Sequence, residues 1–170
     1  MAISDYSGFS APVLVAIETW AATAAHQVGT RVTDAKTGKT YRFVQAQIAG
    51  TVVAGVPGGC YAGEGSGNGE SDPNVVTDDA SVALGRPSCV FRGTVTDAYY
   101  GWVEEVQKAM ATTVNVASSD VPVQATSMRW STDGVLTSCS VDSTTDNTSI
   151  VVAVCLDSAA NNSYLNVAWL

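Results

Sequence analysis

Histidine is almost absent from this sequence, and the other residues from which enzymes build active sites form no recognisable pattern. The chain holds one histidine, His26, and its four cysteines form no CxxC pair. No residues have the spacing of zinc ligands, and neither a GxSxG elbow nor a phosphate-binding GK[ST] sequence occurs. A nucleophilic centre would have to use His26, which we interpret instead as a hydrogen-bonding residue at a strand edge. We therefore predict that the protein is not an enzyme and has no catalytic residue, metal or cofactor.

Basic residues are also few. Eight Lys and Arg stand against sixteen Asp and Glu, and the formal net charge is −8. The phosphate groups of nucleic acids repel such an acidic chain, and counterion release would contribute no free energy to its binding there. We therefore expect neither nucleic acid nor a membrane surface as a partner. No apolar run approaches the ~20 residues that span a bilayer.

The first residues do not resemble a secretory signal, because MAISDYSGFSA lacks a basic start followed by an apolar stretch. We expect synthesis in a cytoplasm, where cysteines stay reduced. Cys139 and Cys155 fall in successive predicted strands, so a disulfide between them is left open.

Residues 55–79 are rich in glycine and carry acidic side chains in and just after the glycine-rich part. This composition predicts a long exposed loop. The acidic residues are Glu64, Glu70, Asp72, Asp78 and Asp79. Oxygen-rich loops can hold calcium, but no EF-hand pattern is present, so a solvated loop is favoured.

What the sequence has in abundance is the pattern of short strands. Thr37-Gly38 predicts a hairpin turn, followed by Tyr41 and Phe43 on one face and by Val44, Ala46 and Ile48 on the other. Cys89, Phe91 and Val95 are predicted to share a face. Asp133-Gly134 predicts a second hairpin, and the continuously apolar SIVVAVCL (149–156) predicts a strand covered on both sides. The fold class predicted is all-β, a single-domain β-barrel or β-sandwich.

An aromatic segment, DAYYGWVEEV (97–106), is the most distinctive feature. Its aromatics favour a strand, although EEVQKAMA also fits a helix. As a strand it would point Glu104 and Glu105 to opposite faces, which argues against a pair of glycosidase carboxylates. Gly101 predicts a close approach or a bulge. We predict a structural core that includes Tyr100, Trp102, Trp130 and Trp169.

The chain divides into an N-terminal arm or extended segment, residues 1–28, and a β-barrel-like domain, residues 29–170, that carries the loop 55–79. Within the arm, Pro12 and the following alanines favour a helix, whereas PVLVAI favours a strand. We predict an extended segment.

Several short segments in a fixed order resemble the decoration (cement) and minor capsid proteins of tailed-bacteriophage heads. They are HQVGTRV (26–32), TGKTYRFVQ (37–45), VALGRP (82–87), DAYYGWVEEV (97–106), SIVVAVCLDSA (149–159) and YLNVAWL (164–170). Each is short, and their order carries the resemblance across residues 26–170. The loop 55–79 departs from the compact pattern of the family.

The resemblance implies a protein of the virion, on the capsid surface, that is assembled in the host cytoplasm. Its partner would be the major capsid protein, with further copies of itself as a second candidate. Tyr6 and Phe9 would be apolar anchors of an arm lying on a neighbour, unless the arm is a disordered tail; Tyr61 is a third candidate interface residue. Two other functions stay open: a head-fibre or tail component, and a β-module that binds carbohydrate on the host surface through exposed Trp and Tyr.

Overall fold

A computed structural model describes residues 18–61, 72–79, 83, 87–107, 111–115, 124–125, 127–130, 135–138, 151–156 and 164–169. The strands are β1 Arg31–Thr33, β2 Thr40–Ala46, β3 Thr51–Val52, β4 Pro57–Tyr61, β5 Asp72–Thr77, β6 Cys89–Phe91, β7 Val95–Thr96, β8 Tyr100–Glu105, β9 Ala111–Asn115, β10 Ser127–Trp130, β11 Leu136–Ser138, β12 Val151–Cys155 and β13 Tyr164–Trp169. Over these ranges the chain contains no helix. The all-β prediction is confirmed, and the strand interpretation of 97–106 with it. None of the described residues belongs to a helix that could span a bilayer.

Five strands of the first sheet form a closed barrel. Its strands follow the order β2, β5, β4, β6, β8, and β8 pairs back onto β2. Strand β1 continues the sheet outside the ring, pairing antiparallel with the first half of β2. Closure matters because it removes the exposed strand edges through which an open sheet pairs with other chains.

The hairpin between β1 and β2 has the predicted turn. Gly38 takes a positive φ of 73°, and its N–H donates to the Asp34 carbonyl at 2.7 Å. The Asp34 carboxylate accepts from the Thr37 hydroxyl at 2.6 Å and from the Lys36 N–H at 2.9 Å. These hydrogen bonds hold the pKa of Asp34 below its ordinary value.

Strands β2 and β6 are buried on both faces, which explains their dense apolar sequence. Val44 and Ala46 of β2 point into the barrel, while Tyr41 and Phe43 pack outside it with Trp102. The predicted faces of this strand are confirmed. Cys89, Phe91 and Val95 share the barrel core, also as predicted.

The second sheet is open, with strands in the order β11, β10, β12, β13, β9. Its β10 and β11 are antiparallel, with Trp130 opposite Leu136, as the second hairpin prediction requires. The turn itself, 131–134, lies outside the described residues. Val152 and Ala153 are neighbours in β12 and are both buried, so this strand is covered on both sides as predicted.

The prediction of a loop over 55–79 is wrong for much of its length. Residues 57–61 and 72–77 are the antiparallel barrel strands β4 and β5. The glycines serve close packing there: a Cβ at Gly58 would lie 2.8 Å from Phe91 Cε2, and one at Gly59 would lie 2.8 Å from Trp130 Cη2. The glycine content predicts a free backbone, whereas in the structure these two glycines allow aromatic rings to approach closely. Residues 62–71 lie outside the described part.

Candidate interaction surface

Residues singled out for chemistry turn out to have structural contacts. The ring of His26 packs edge-on against Phe43 at a centroid distance of 5.2 Å and tilted against Trp102 at 5.3 Å. Aromatic packing on the outer face of the barrel thus replaces the strand-edge hydrogen bonding expected of His26. Where the structure describes the chain, no group of three His, Cys, Asp or Glu could hold a metal ion. Glu64 and Glu70 of the calcium alternative lie outside that part.

Glu104 and Glu105 contact different sets of cations, in agreement with the prediction that they face opposite ways. Glu104 is buried, and its carboxylate binds Lys39 Nζ at 3.0 Å and Arg92 Nη2 at 2.5 Å. The Glu105 carboxylate binds Arg31 Nε at 3.0 Å and Arg42 Nε at 3.2 Å. Among the described residues, each carboxylate has two cationic partners, as expected of structural ion pairs.

The Glu104 ion pair also links the barrel to the second sheet. Arg92 donates through Nε to Glu104 at 2.7 Å and through Nη1 to the carbonyl of Thr113, in β9, at 3.2 Å. Val90 lies beside this link, fully buried in the core of the second sheet although it belongs to barrel strand β6. The two sheets therefore share a core and a polar bridge, so they form one body.

The predicted core residues lie as follows. Trp102 is buried outside the barrel with Tyr41 and Phe43, and Tyr100 is half-buried against the same cluster. Trp130 is half-buried against the core of the second sheet. Trp169 lies opposite Ala153 in the pairing of β12 with β13. The side chain of Trp169 is outside the described part.

Of the predicted interface residues, the structure describes one. Tyr61 is half-buried at the end of β4, where it forms a bridge with Ala83. Tyr6 and Phe9 lie outside the described residues, as does Cys139 of the suggested disulfide; Cys155 is buried in the core of the second sheet.

Sequence reasoning missed Trp20, which seats the N-terminal segment on the barrel. Ala21 forms a bridge with Tyr100, through N–H···O bonds of 3.0 and 2.8 Å. The ring of Trp20 covers Gly101 and packs against Phe91 at a centroid distance of 5.8 Å. The close approach predicted at Gly101 is therefore made by an aromatic ring from the segment assigned to the arm. Gly101 indicates in the sequence that some group approaches the backbone closely, but a glycine alone does not show which residue that is.

One end of the barrel emerges as the candidate interaction surface. It comprises residues 18–21, 46–56, 77–79 and 92–100. Its charged residues are Glu18, Asp78, Asp79, Arg92 and Asp97. Arg92 is the single cation among these five residues, and its charge is paired with the buried Glu104. The remaining charged residues are carboxylates, so this end is acidic. It also presents Val53. The side chain of Val53 is 46% exposed, more than that of Leu156, the other exposed large apolar residue of the described part.

Two carboxylates at this end differ in their surroundings. Burial raises the pKa of Asp78, and the Asp97 carboxylate accepts the Ile48 N–H at 3.0 Å. An exposed valine and carboxylates at the same end of the barrel would complement a protein surface that carries both apolar and basic residues.

Comparison with known proteins gives a similarity of fold. No protein-family model matches the chain, and no curated protein matches it. Among solved structures, it is similar to the N base of the head fiber protein gp8.5 of bacteriophage phi29. The two share 18% sequence identity and a TM-score of 0.50, over 76% of this chain and 94% of that one. The chain is therefore similar in fold to a phage head-fibre base.

Proposed function

We propose that this protein is a structural component of a bacteriophage head, which binds the outer capsid surface as a decoration protein and stabilises the contacts between capsomers. The observation that carries the proposal is the fold. A β-barrel with a second five-stranded sheet, similar in fold to a phage head-fibre base, coincides with short segments that resemble decoration and minor capsid proteins. One indication comes from the backbone and the other from short runs of residues.

The physical role follows from selective binding. A protein that binds assembled capsomers but not free subunits shifts the equilibrium towards the shell. Each contact can be weak, since many copies on one lattice act together. A body whose two sheets share a core and an ion-pair link transmits load between subunits with little deformation.

The acidic barrel end is the surface proposed to contact the capsid. Glu18 lies at this end, so an arm formed by the preceding residues, with Tyr6 and Phe9 as anchors, would reach a neighbouring capsomer from here. Val53 would supply an apolar contact, and Asp97 and Glu18 would face basic residues of the major capsid protein.

A head-fibre base is the second candidate, and the similarity to the phi29 fibre base is the specific observation that favours it. A base would also bind the head, but it would hold a projecting fibre.

The carbohydrate-binding alternative finds less support. Every Trp, Tyr and Phe side chain in the described part is buried or half-buried, so none offers the open ring that stacks on a sugar.

The experiment is a binding assay of purified protein on expanded, genome-filled heads, followed by imaging of the particles. Decoration predicts occupancy of a regularly repeated lattice position and a higher temperature of genome release. A fibre base predicts binding at sites that carry a projection, with an unchanged release temperature. Absence of binding to heads contradicts both functions.

A pair of variants tests the contact surface. Glu18→Gln removes one exposed charge at the acidic end, and Asp72→Asn removes one exposed charge at the start of β5. We expect weaker binding to heads for Glu18→Gln, most clearly at low salt, and unchanged binding for Asp72→Asn. Equal effects of the two variants would remove the acidic end as the contact surface.

A further inference from the structure

We propose that residues 18–21 occupy a built-in strand-docking slot of the barrel and that this segment exchanges between copies, the segment of one chain docking in the slot of a second. The inference concerns contacts between copies in solution and does not depend on binding to a capsid.

The slot is formed by two buried glycines. A Cβ at Gly93 would collide with the backbone carbonyl of Glu18, and one at Gly101 would collide with the ring of Trp20. Both positions must lack a side chain for the segment to dock. The backbone collision at Gly93 is the more severe of the two, because a carbonyl, unlike a side chain, moves only if the strand moves.

Within its own chain, the segment is held by few interactions. Its regular pairing is one bridge, Ala21 with Tyr100. The ring of Trp20 adds apolar contact, but its Nε1 is buried without a hydrogen-bond partner in the described structure. An unsatisfied buried N–H weakens the docked state and so lowers the barrier to release.

A short hinge connects the docked segment to the rest of the barrel. Residues 22–25 are exposed and lie outside any strand, and the next residue, His26, is fixed by Phe43 and Trp102. Short hinges between two docked elements are the common setting of domain swapping. A swapped pair keeps every contact of the slot and changes only the path of residues 22–25.

A second copy is the occupant that the slot fits, because the groove matches the backbone and the tryptophan of this segment. A strand of another protein would need a bulky aromatic at the same register to fill the space above Gly101. Crowding of copies would raise the effective concentration of the exchanged segment and favour the swapped form.

The test is disulfide trapping between singly substituted full-length chains. Ala21→Cys and Tyr100→Cys chains are mixed at high concentration and oxidised. The double variant Ala21→Cys/Tyr100→Cys serves as the positive control for disulfide geometry. Each single variant mixed with wild-type chain reports the background from the native cysteines.

Exchange predicts a covalent dimer in the mixture, at several times the background level. The dimer should fall to background when Gly93→Ala is added to the Tyr100→Cys chain. Thr94→Ala, at the exposed neighbouring position, should leave the dimer unchanged. Circular dichroism of each variant establishes that it is folded. A mixture without dimer, while the double variant closes its disulfide within one chain, would overturn the proposal, as would a dimer that Gly93→Ala does not reduce.

Discussion

Arg92 stabilises the molecule through one side chain that binds two groups. It pairs with the buried carboxylate of Glu104 and donates to the Thr113 carbonyl across the boundary between the sheets. We predict that Arg92→Met lowers the free energy of unfolding by about 3 kcal/mol, because removal of one partner leaves a buried charge short of compensation. Urea denaturation measures the change.

Arg31→Met is the matched control. Arg31 also binds a glutamate, but its side chain is 62% exposed, against 17% for Arg92. Exposed pairs contribute about 0–1 kcal/mol, so this variant should remain close to wild type. Equal losses for the two variants would mean that the position of Arg92 between the sheets adds nothing.

Because of the Cys89 thiol, we expect the free energy of unfolding to fall as the pH rises in the alkaline range. Complete burial raises its pKa from 9.0 to about 12. Above pH 9 the unfolded chain loses this proton while the folded chain keeps it, so unfolding releases a proton and is favoured as pH rises. The stabilising effect is complete below pH 9 and declines between pH 9 and 12.

The expected loss attributable to Cys89 between pH 8 and pH 10 is about 1 kcal/mol in the free energy of unfolding. Burial also raises the pKa of Tyr41 from 10.0, so the comparison stays at or below pH 10. Cys89→Ala should lack this part of the decline, whereas Cys60→Ala, which leaves Cys89 in place, should keep it. An identical pH profile for wild type and Cys89→Ala would refute the assignment.

At the scale of elements, β4 of the barrel and β10 of the second sheet meet at Gly59. A Cβ there would lie 2.8 Å from Trp130 Cη2 and 2.9 Å from Ala83 Cβ. We predict that Gly59→Ala destabilises the protein by about 1–3 kcal/mol through overpacking. In a Trp130→Leu background the same change should cost less, because the ring that it meets is gone.

A double-mutant cycle measures that coupling. The interaction free energy between positions 59 and 130 should be about 1 kcal/mol. Its sign should be favourable, because the double variant is expected to lose less stability than the sum of the two single variants. Gly58→Ala provides the contrast, since its collision is with Phe91 inside the barrel. Its cost should be unaffected by Trp130→Leu; strictly additive effects at positions 59 and 130 would contradict the packing described.

The elements show why sequence reasoning succeeded in some places and failed in others. The faces of β2 were predictable, because alternation along a strand is local and Tyr41, Phe43 and Val44 obey it. The glycine-rich stretch was misinterpreted because the groups that require glycine, such as Phe91 at Gly58, are distant in sequence. Trp20 was missed for the same reason: its partner Gly101 lies in another part of the chain.

At the scale of the whole molecule, closure of the barrel was not predictable from the sequence. It depends on β2 pairing with β5 on one side and with β8 on the other, and no local pattern specifies those partners. What the sequence indicated was the composition of the strands, which is compatible with a barrel or a sandwich. The structure contains a closed barrel with an open sheet packed on it.

The shared core between these two parts predicts a single unfolding unit. Val90 of the barrel is fully buried among Met128, Leu136 and Val167 of the second sheet, so opening the sheet would expose the outer face of β6. Hydrogen exchange in increasing denaturant should therefore give the same midpoint for peptides that cover β8 and β12. Val90→Ser adds a polar group to this shared core and should lower the midpoints of β8 and β12 together, and Val44→Ser, inside the barrel, should do the same. If β12 opens well before β8 in the wild-type chain, the sheets are separate units and the rigid body proposed to transmit load on a capsid does not exist.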